Sequence, residues 1–172
     1  HLQLGNRSVE KDNYPDAMEH YQEAIRIAED IGDSTYLPHL TNNMGITYLK
    51  LNKFPEALEM NTRALVLFEA IHDSSNIAGL LCNIGSAYNR MGDLELAENY
   101  YERALDLFTR FGSREGEAHA LLKLGILNQS QGQCDTALKY LHRSLGIQES
   151  LDVTHAGSKT IFEAETILYI GI

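Results

Sequence analysis

Gly5, Gly45, Gly85 and Gly125 stand 40 residues apart along the chain, and that interval constrains its fold more than any other feature. Three further columns keep the same register. They are Ala17, Ala57, Ala97 and Ala137; Ala24, Ala64, Ala104 and Ser144; and Ile25, Leu65, Leu105 and Leu145. Self-similarity at one fixed period over 172 residues is the mark of a solenoid, in which each unit buries its apolar face against its neighbours.

Within each unit the apolar residues recur at helical spacing, and two breakers divide the unit into a pair of helices. The first breaker column reads Asp12, Asn52, Gly92 and Gly132. All three residue types tolerate the left-handed conformation that ends a helix, so this column marks the turn inside each unit. Pro15 and Pro55 follow it, at positions where a first helical turn accepts a missing N–H. The second breaker falls between units at Gly32-Asp33-Ser34, His72-Asp73-Ser74 and Gly112-Ser113, where Asp or Ser can cap the next helix. The pattern predicts nine helices, at about 1–11, 14–31, 34–51, 54–72, 74–91, 94–111, 114–131, 134–151 and 155–171. No strand pattern interrupts them.

Glycine inside a helix costs about 1 kcal/mol relative to alanine, so the glycine column needs a return. Small residues at Gly85 in one helix and at Ala97 and Ala104 in its partner would let the two backbones approach closely. Ile84, Tyr88, Tyr101 and Leu105 flank them, and each large side chain contributes about 1.5–3 kcal/mol when fully buried. Gly85 is therefore expected to be structural.

These residues resemble the tetratricopeptide repeat, whose signature runs L-G-x2-Y and then A-x3-F. "IGSAY" at Ile84 to Tyr88 and "MGITY" at Met44 to Tyr48 carry the first half; "AENYY" at Ala97 to Tyr101 and "AMEHY" at Ala17 to Tyr21 carry the second, with Tyr for Phe. The chain departs from the signature in two columns. Thr41, Leu81 and Leu121 replace the early tryptophan, and Glu29, Glu69, Thr109 and Glu149 replace the late proline. The 40-residue period exceeds the common 34, and the lengthened form is similar to the repeats of Pins/LGN-type spindle adaptors, kinesin light chains and bacterial Rap-type regulators. The resemblance implies an all-α fold, a right-handed α-solenoid of antiparallel helix-turn-helix units. It divides the chain into a single array with repeats at about 1–32, 33–72, 73–112 and 113–152 and a terminal helix at 155–172, where Glu165 breaks the glycine column. With no initiator Met, the sequence is expected to be a segment of a longer protein.

The same resemblance implies a concave groove lined by the first helix of each unit and able to receive a peptide. Its inward row falls at i, i+4, i+7 and i+11, positions that return to nearly one helix face. The row comprises His39, Asn43, Ile46 and Lys50 in the second unit; Gly79, Asn83, Ser86 and Arg90 in the third; and His119, Lys123, Ile126 and Ser130 in the fourth. Asparagine offers both a donor and an acceptor to a peptide amide, and the long-repeat relatives grip ligand backbone at the positions of Asn43 and Asn83. Arg90 and Lys50 suit a ligand carboxylate. Structural readings stand beside these. Asn83 can satisfy groups between helices, Arg90 can complement a helix C-terminus or pair with a nearby acid, and His39 and His119 can be simple solvated groove residues.

The chain carries 14 basic and 24 acidic residues, a net charge of −10, which argues against non-specific binding to nucleic acid or anionic membrane as its main activity. The acids gather on second helices, as in Glu95, Glu98, Glu102 and Asp106, whereas the spans 34–51 and 74–91 hold no Asp or Glu after their caps. A groove locally neutral to basic inside an acidic shell follows, favouring an acidic or carboxylate-bearing peptide. Cys82 and Cys134 show no metal-binding spacing and read as reduced thiols of a cytoplasmic protein. No apolar run approaches the roughly 20 residues of a spanning helix. No cofactor, metal or catalytic motif is expected. The sequence thus points to a peptide-binding interaction module of scaffold or adaptor type. Two alternatives stay open: a ligand-sensing segment of a larger regulator, and self-association, as a homodimer, through the apolar terminal stretch "TIFEAETILYIGI".

Overall fold

The computed structural model describes residues 1–154, and over them the chain forms eight helices. They are α1 Leu2–Glu10, α2 Tyr14–Ile31, α3 Leu37–Lys50, α4 Phe54–Ala70, α5 Ser74–Met91, α6 Leu94–Phe111, α7 Arg114–Ser130 and α8 Cys134–Thr154. The expected ninth helix, Glu165 and the proposed self-association stretch lie outside the described residues. Each helix packs on the next in sequence, so the architecture is an all-α solenoid of stacked helix pairs.

Both breaker columns have the backbone that their residue types promised. Asp12, Asn52, Gly92 and Gly132 take φ of 56°, 57°, 90° and 76°, all left-handed. Between units, Gly32, His72 and Gly112 do the same at 69°, 56° and 68°. Asp73 and Ser113 cap the helices that follow, accepting the N–H of Asn76 at 3.2 Å and of Gly116 at 3.3 Å. Helix ends differ from the sequence reading by up to three residues, as at α4, which ends at Ala70, and α8, which runs to Thr154; among helix starts the largest difference is at α3, which begins at Leu37 rather than at residue 34. A helix begun at Ser34 would need an N–H at position 38 to bond its carbonyl, and Pro38 has none. The segment instead makes a turn, with Asp33 accepting the Thr35 N–H at 3.0 Å, and Pro38 sits in the first turn of α3.

The glycine column lies where the two helices of a unit press closest. A Cβ on Gly85 would stand 2.8 Å from the Tyr101 ring and 3.2 Å from the Ala97 carbonyl oxygen. Gly125 meets Leu141 and the Ala137 carbonyl in the same way, Gly5 meets the Tyr21 ring, and Gly45 meets the Asn61 amide. Ala97 and Ala104 are fully buried, as the close approach requires. What presses on the glycine, beyond backbone, is the side chain 16 residues later. The core runs on along the array from these contacts; its largest part joins Leu81, Cys82, Tyr101, Leu124 and Leu127 across three helices.

Asn61 is the exception within that column. It is fully buried, yet neither its Oδ1 nor its Nδ2 has a hydrogen-bond partner. A buried polar group left unpaired costs about 1–3 kcal/mol. Asn61→Leu, which copies Leu141, is therefore expected to raise the urea midpoint by the equivalent of about 1–2 kcal/mol. Gly85→Ala should do the opposite. Overpacking against Tyr101 and the Ala97 carbonyl costs about 1–3 kcal/mol, more than the roughly 1 kcal/mol gained in helix propensity, and thermal unfolding followed by circular dichroism would register the lower midpoint.

Candidate binding groove

The first helices of successive units, α1 with α3, α3 with α5 and α5 with α7, approach one another at backbone level, whereas among the described residues second helices of successive units do not and meet only through long side chains, as in Arg63 with Glu29 at 3.9 Å. First helices thus form the tight inner layer and second helices splay outward. That asymmetry is what curves a solenoid and makes its inner surface concave.

Polar bonds between first helices tie the inner layer together. Asn43 donates through Nδ2 to Asn6 Oδ1 at 2.8 Å, and the same oxygen accepts the Tyr21 hydroxyl at 2.7 Å. One unit on, Asn83 donates to Asn42 Oδ1 at 3.3 Å. Each bond uses one N–H of an amide that has two; the Tyr21 hydroxyl engages the Asn43 amide as well, whereas at Asn83 the bond to Asn42 uses one of the two N–H groups. Ser86 donates to the Cys82 carbonyl at 2.8 Å and accepts the Tyr101 hydroxyl at 3.1 Å. Burial pushes the Tyr101 phenol up to about 12, so it stays a neutral donor at any physiological pH.

Arg90 is held sideways. Its guanidinium donates to Asn52 Oδ1 at 2.8 Å and lies 5.6 Å above the Phe54 ring, bracing the left-handed turn of the preceding unit. Its partner is thus an asparagine and an aromatic face, where the sequence suggested an acid or the helix dipole. The side chain is exposed, and a guanidinium has further N–H groups besides the one on Asn52. Lys50 is exposed and Lys123 half-buried, and among the described residues neither is in an ion pair. Ile46 and Ile126 are half-buried, Gly79 leaves open space beside its backbone, and Ser130 bonds back to Leu127 at 2.7 Å.

The two histidines differ. His39 packs edge-on to Phe68 with ring centroids 5.0 Å apart. His119 is pushed down to about 4 by burial and, secondarily, by Lys123, so it is neutral at pH 7. Its folded pKa lies below the ordinary 6.5, so acidification protonates the unfolded chain first and stability falls from about pH 6.5 towards pH 4. His119→Gln is expected to flatten that part of the pH profile, measured as urea midpoints at pH 7 and pH 5.

A cavity of about 300 Å³ opens between α1 and α3, lined by Asn6, Glu10, Tyr21, Asn43 and Ile46 among others. It joins two predicted residues, Asn43 and Ile46, to three that the sequence reading did not include. The signal for Asn6 was available, since the 40-residue register places it in one column with Ile46, Ser86 and Ile126. Glu10 makes the groove less basic at this level than the charge pattern suggested. Among the described residues no three His, Cys, Asp or Glu side chains come together as a metal site, and no helix is long and apolar enough to cross a membrane.

A sequence model described as tetratricopeptide repeat matches residues 2–70 and 76–150. The chain belongs to the tetratricopeptide repeat family. Solved structures agree with the fold. BtubC (BKLC) from P. vanneervenii superposes with a TM-score of 0.82 at 22% identity, covering 98% of this chain and 68% of that one. A Rap protein complexed with competence and sporulation factor gives a TM-score of 0.81 at 15% identity, with 96% of this chain and 45% of that one covered. The apo form of RapI gives 0.78 at 14% identity over the same shares. This chain thus spans less than half the length of the Rap proteins. No curated protein sequence matches it. Family and fold place it among protein–protein interaction scaffolds.

Proposed function

We propose that the inner row binds an extended segment of a partner protein, giving the chain an adaptor or scaffold role without chemistry of its own. The carrying observation is the state of Asn43 and Asn83. Both stand on first helices, each is oriented by a bond to a neighbouring first helix, and each amide has more hydrogen-bonding groups than that one bond uses. An extended backbone is the natural complement, because a helix has already used its own amides. Side chains already oriented spare part of the entropy cost of binding. The Rap structure complexed with competence and sporulation factor is consistent with a solenoid of this shape holding a ligand.

The ligand class we infer is acidic or carboxylate-bearing, met by Lys50 and Lys123, with Ser86 and the spare donors of Arg90 between them. His39 and His119 supply neutral or solvated walls, and Ile46 and Ile126 the apolar ones. The test is capture of partner peptides on an array by the native chain and by Asn43→Ala plus Asn83→Ala. The double variant should stay folded and lose at least tenfold in affinity, about 1.4 kcal/mol; unchanged capture would remove the row from the binding site. Affinity should also fall as salt is raised from 50 to 500 mM, and a salt-independent constant would reject the carboxylate.

A further inference from the structure

At two of the four column glycines a side chain of the second helix reaches past the glycine to the first helix. Where the residue facing the glycine is tyrosine, its hydroxyl passes the glycine and bonds the next residue of the first helix: Tyr21 reaches Asn6, beside Gly5, and Tyr101 reaches Ser86, beside Gly85. Where the facing residue is short or apolar, it stops at the glycine. Asn61 ends against Gly45 and Leu141 against Gly125, and the residues beside those glycines are Ile46 and Ile126. Along the inner layer the column therefore alternates Asn6, Ile46, Ser86, Ile126.

Charge follows the same alternation. Lys50 lies one turn after Ile46 and Lys123 one turn before Ile126, and among the described residues neither lysine is in an ion pair. Near Ser86 the cation is Arg90, which is engaged by Asn52 and Phe54. Ile46 with Lys50 and Ile126 with Lys123 thus form two seats, each an apolar surface within one turn of a lysine, exposed at Lys50 and half-buried at Lys123, with a polar step between them.

We propose that the groove selects an extended acidic peptide carrying two apolar side chains about six residues apart, each next to an Asp or Glu, with a small or polar residue midway. This rests on the groove reading above and adds the spacing. Packed helices lie about 8–10 Å apart, so seats two units apart are separated by about 16–20 Å. An extended chain rises about 3.3 Å per residue and covers that distance in five or six residues.

The probe is a displayed library of random twelve-residue peptides, selected on the native chain, on Asn43→Ala plus Asn83→Ala, on Ile126→Ser, and on Ile46→Ser plus Ser86→Ile. Peptides whose capture needs the two asparagines are groove ligands. Among them the native chain should enrich apolar pairs five or six positions apart with neighbouring acids, and removal of either apolar side chain should weaken binding about tenfold. Ile126→Ser should abolish the pairing, and the swap variant, which brings its isoleucines into adjacent units, should shorten the preferred spacing to about three. Circular dichroism confirms that each variant is folded. Groove ligands without that spacing would overturn the two-seat inference and leave the groove standing. A selection yielding no peptide dependent on Asn43 and Asn83 would overturn the groove reading itself.

Discussion

The contact between each column glycine and the residue 16 positions later sets the geometry of everything else. With no Cβ on Gly85, the Tyr101 ring and the Ala97 carbonyl come closer than any other residue would allow. The two helices of a unit then pack as a tight pair, with alanines at Ala97 and Ala104 sharing the near side. Each pair buries only part of its apolar surface, so the next pair must cover the remainder, and the core extends lengthwise. The same close approach brings the Tyr21 and Tyr101 hydroxyls to the groove.

The groove is built from partly spent hydrogen-bonding groups. Asn6 with Asn43, Asn42 with Asn83, and Asn52 with Arg90 link adjacent units across the inner layer. Each link fixes a rotamer, so the inner surface is stiffened by its own side chains. Bonds of this kind contribute about 0.5–1.5 kcal/mol each to the array, which makes the same residues structural and available at once. Exposed ion pairs of the outer layer, such as Arg26 with Glu23 and Asp30, hold their acids on one helix and add little to stability.

Repeats, turns and helix pairing were legible because they depend on residue types recurring at fixed intervals. Asp12, Asn52, Gly92 and Gly132 share no side-chain chemistry, but all tolerate positive φ, and the register exposes that common property. The start of α3 was misread because Pro38 acts on a carbonyl four residues back, an effect outside the local pattern of caps. Arg90 was read for its charge, whereas its place was decided by Asn52 and Phe54, 38 and 36 residues earlier, which only the stacking of units brings near. That the Asn61 amide is sealed without a partner is a property of its surroundings.

By itself the sequence determined a solenoid of helix pairs, its 40-residue period and its left-handed turns. Periodicity carries all of these, because a helix face and a turn are local consequences of spacing and backbone preference. Only the tertiary structure decided which asparagines bond to which, that Arg90 braces a turn, that Glu10 and Asn6 line one cavity with Asn43, and that the Tyr21 and Tyr101 hydroxyls reach past glycines to Asn6 and Ser86. Those outcomes depend on distances between side chains in different helices, and such distances exist only once the units have stacked.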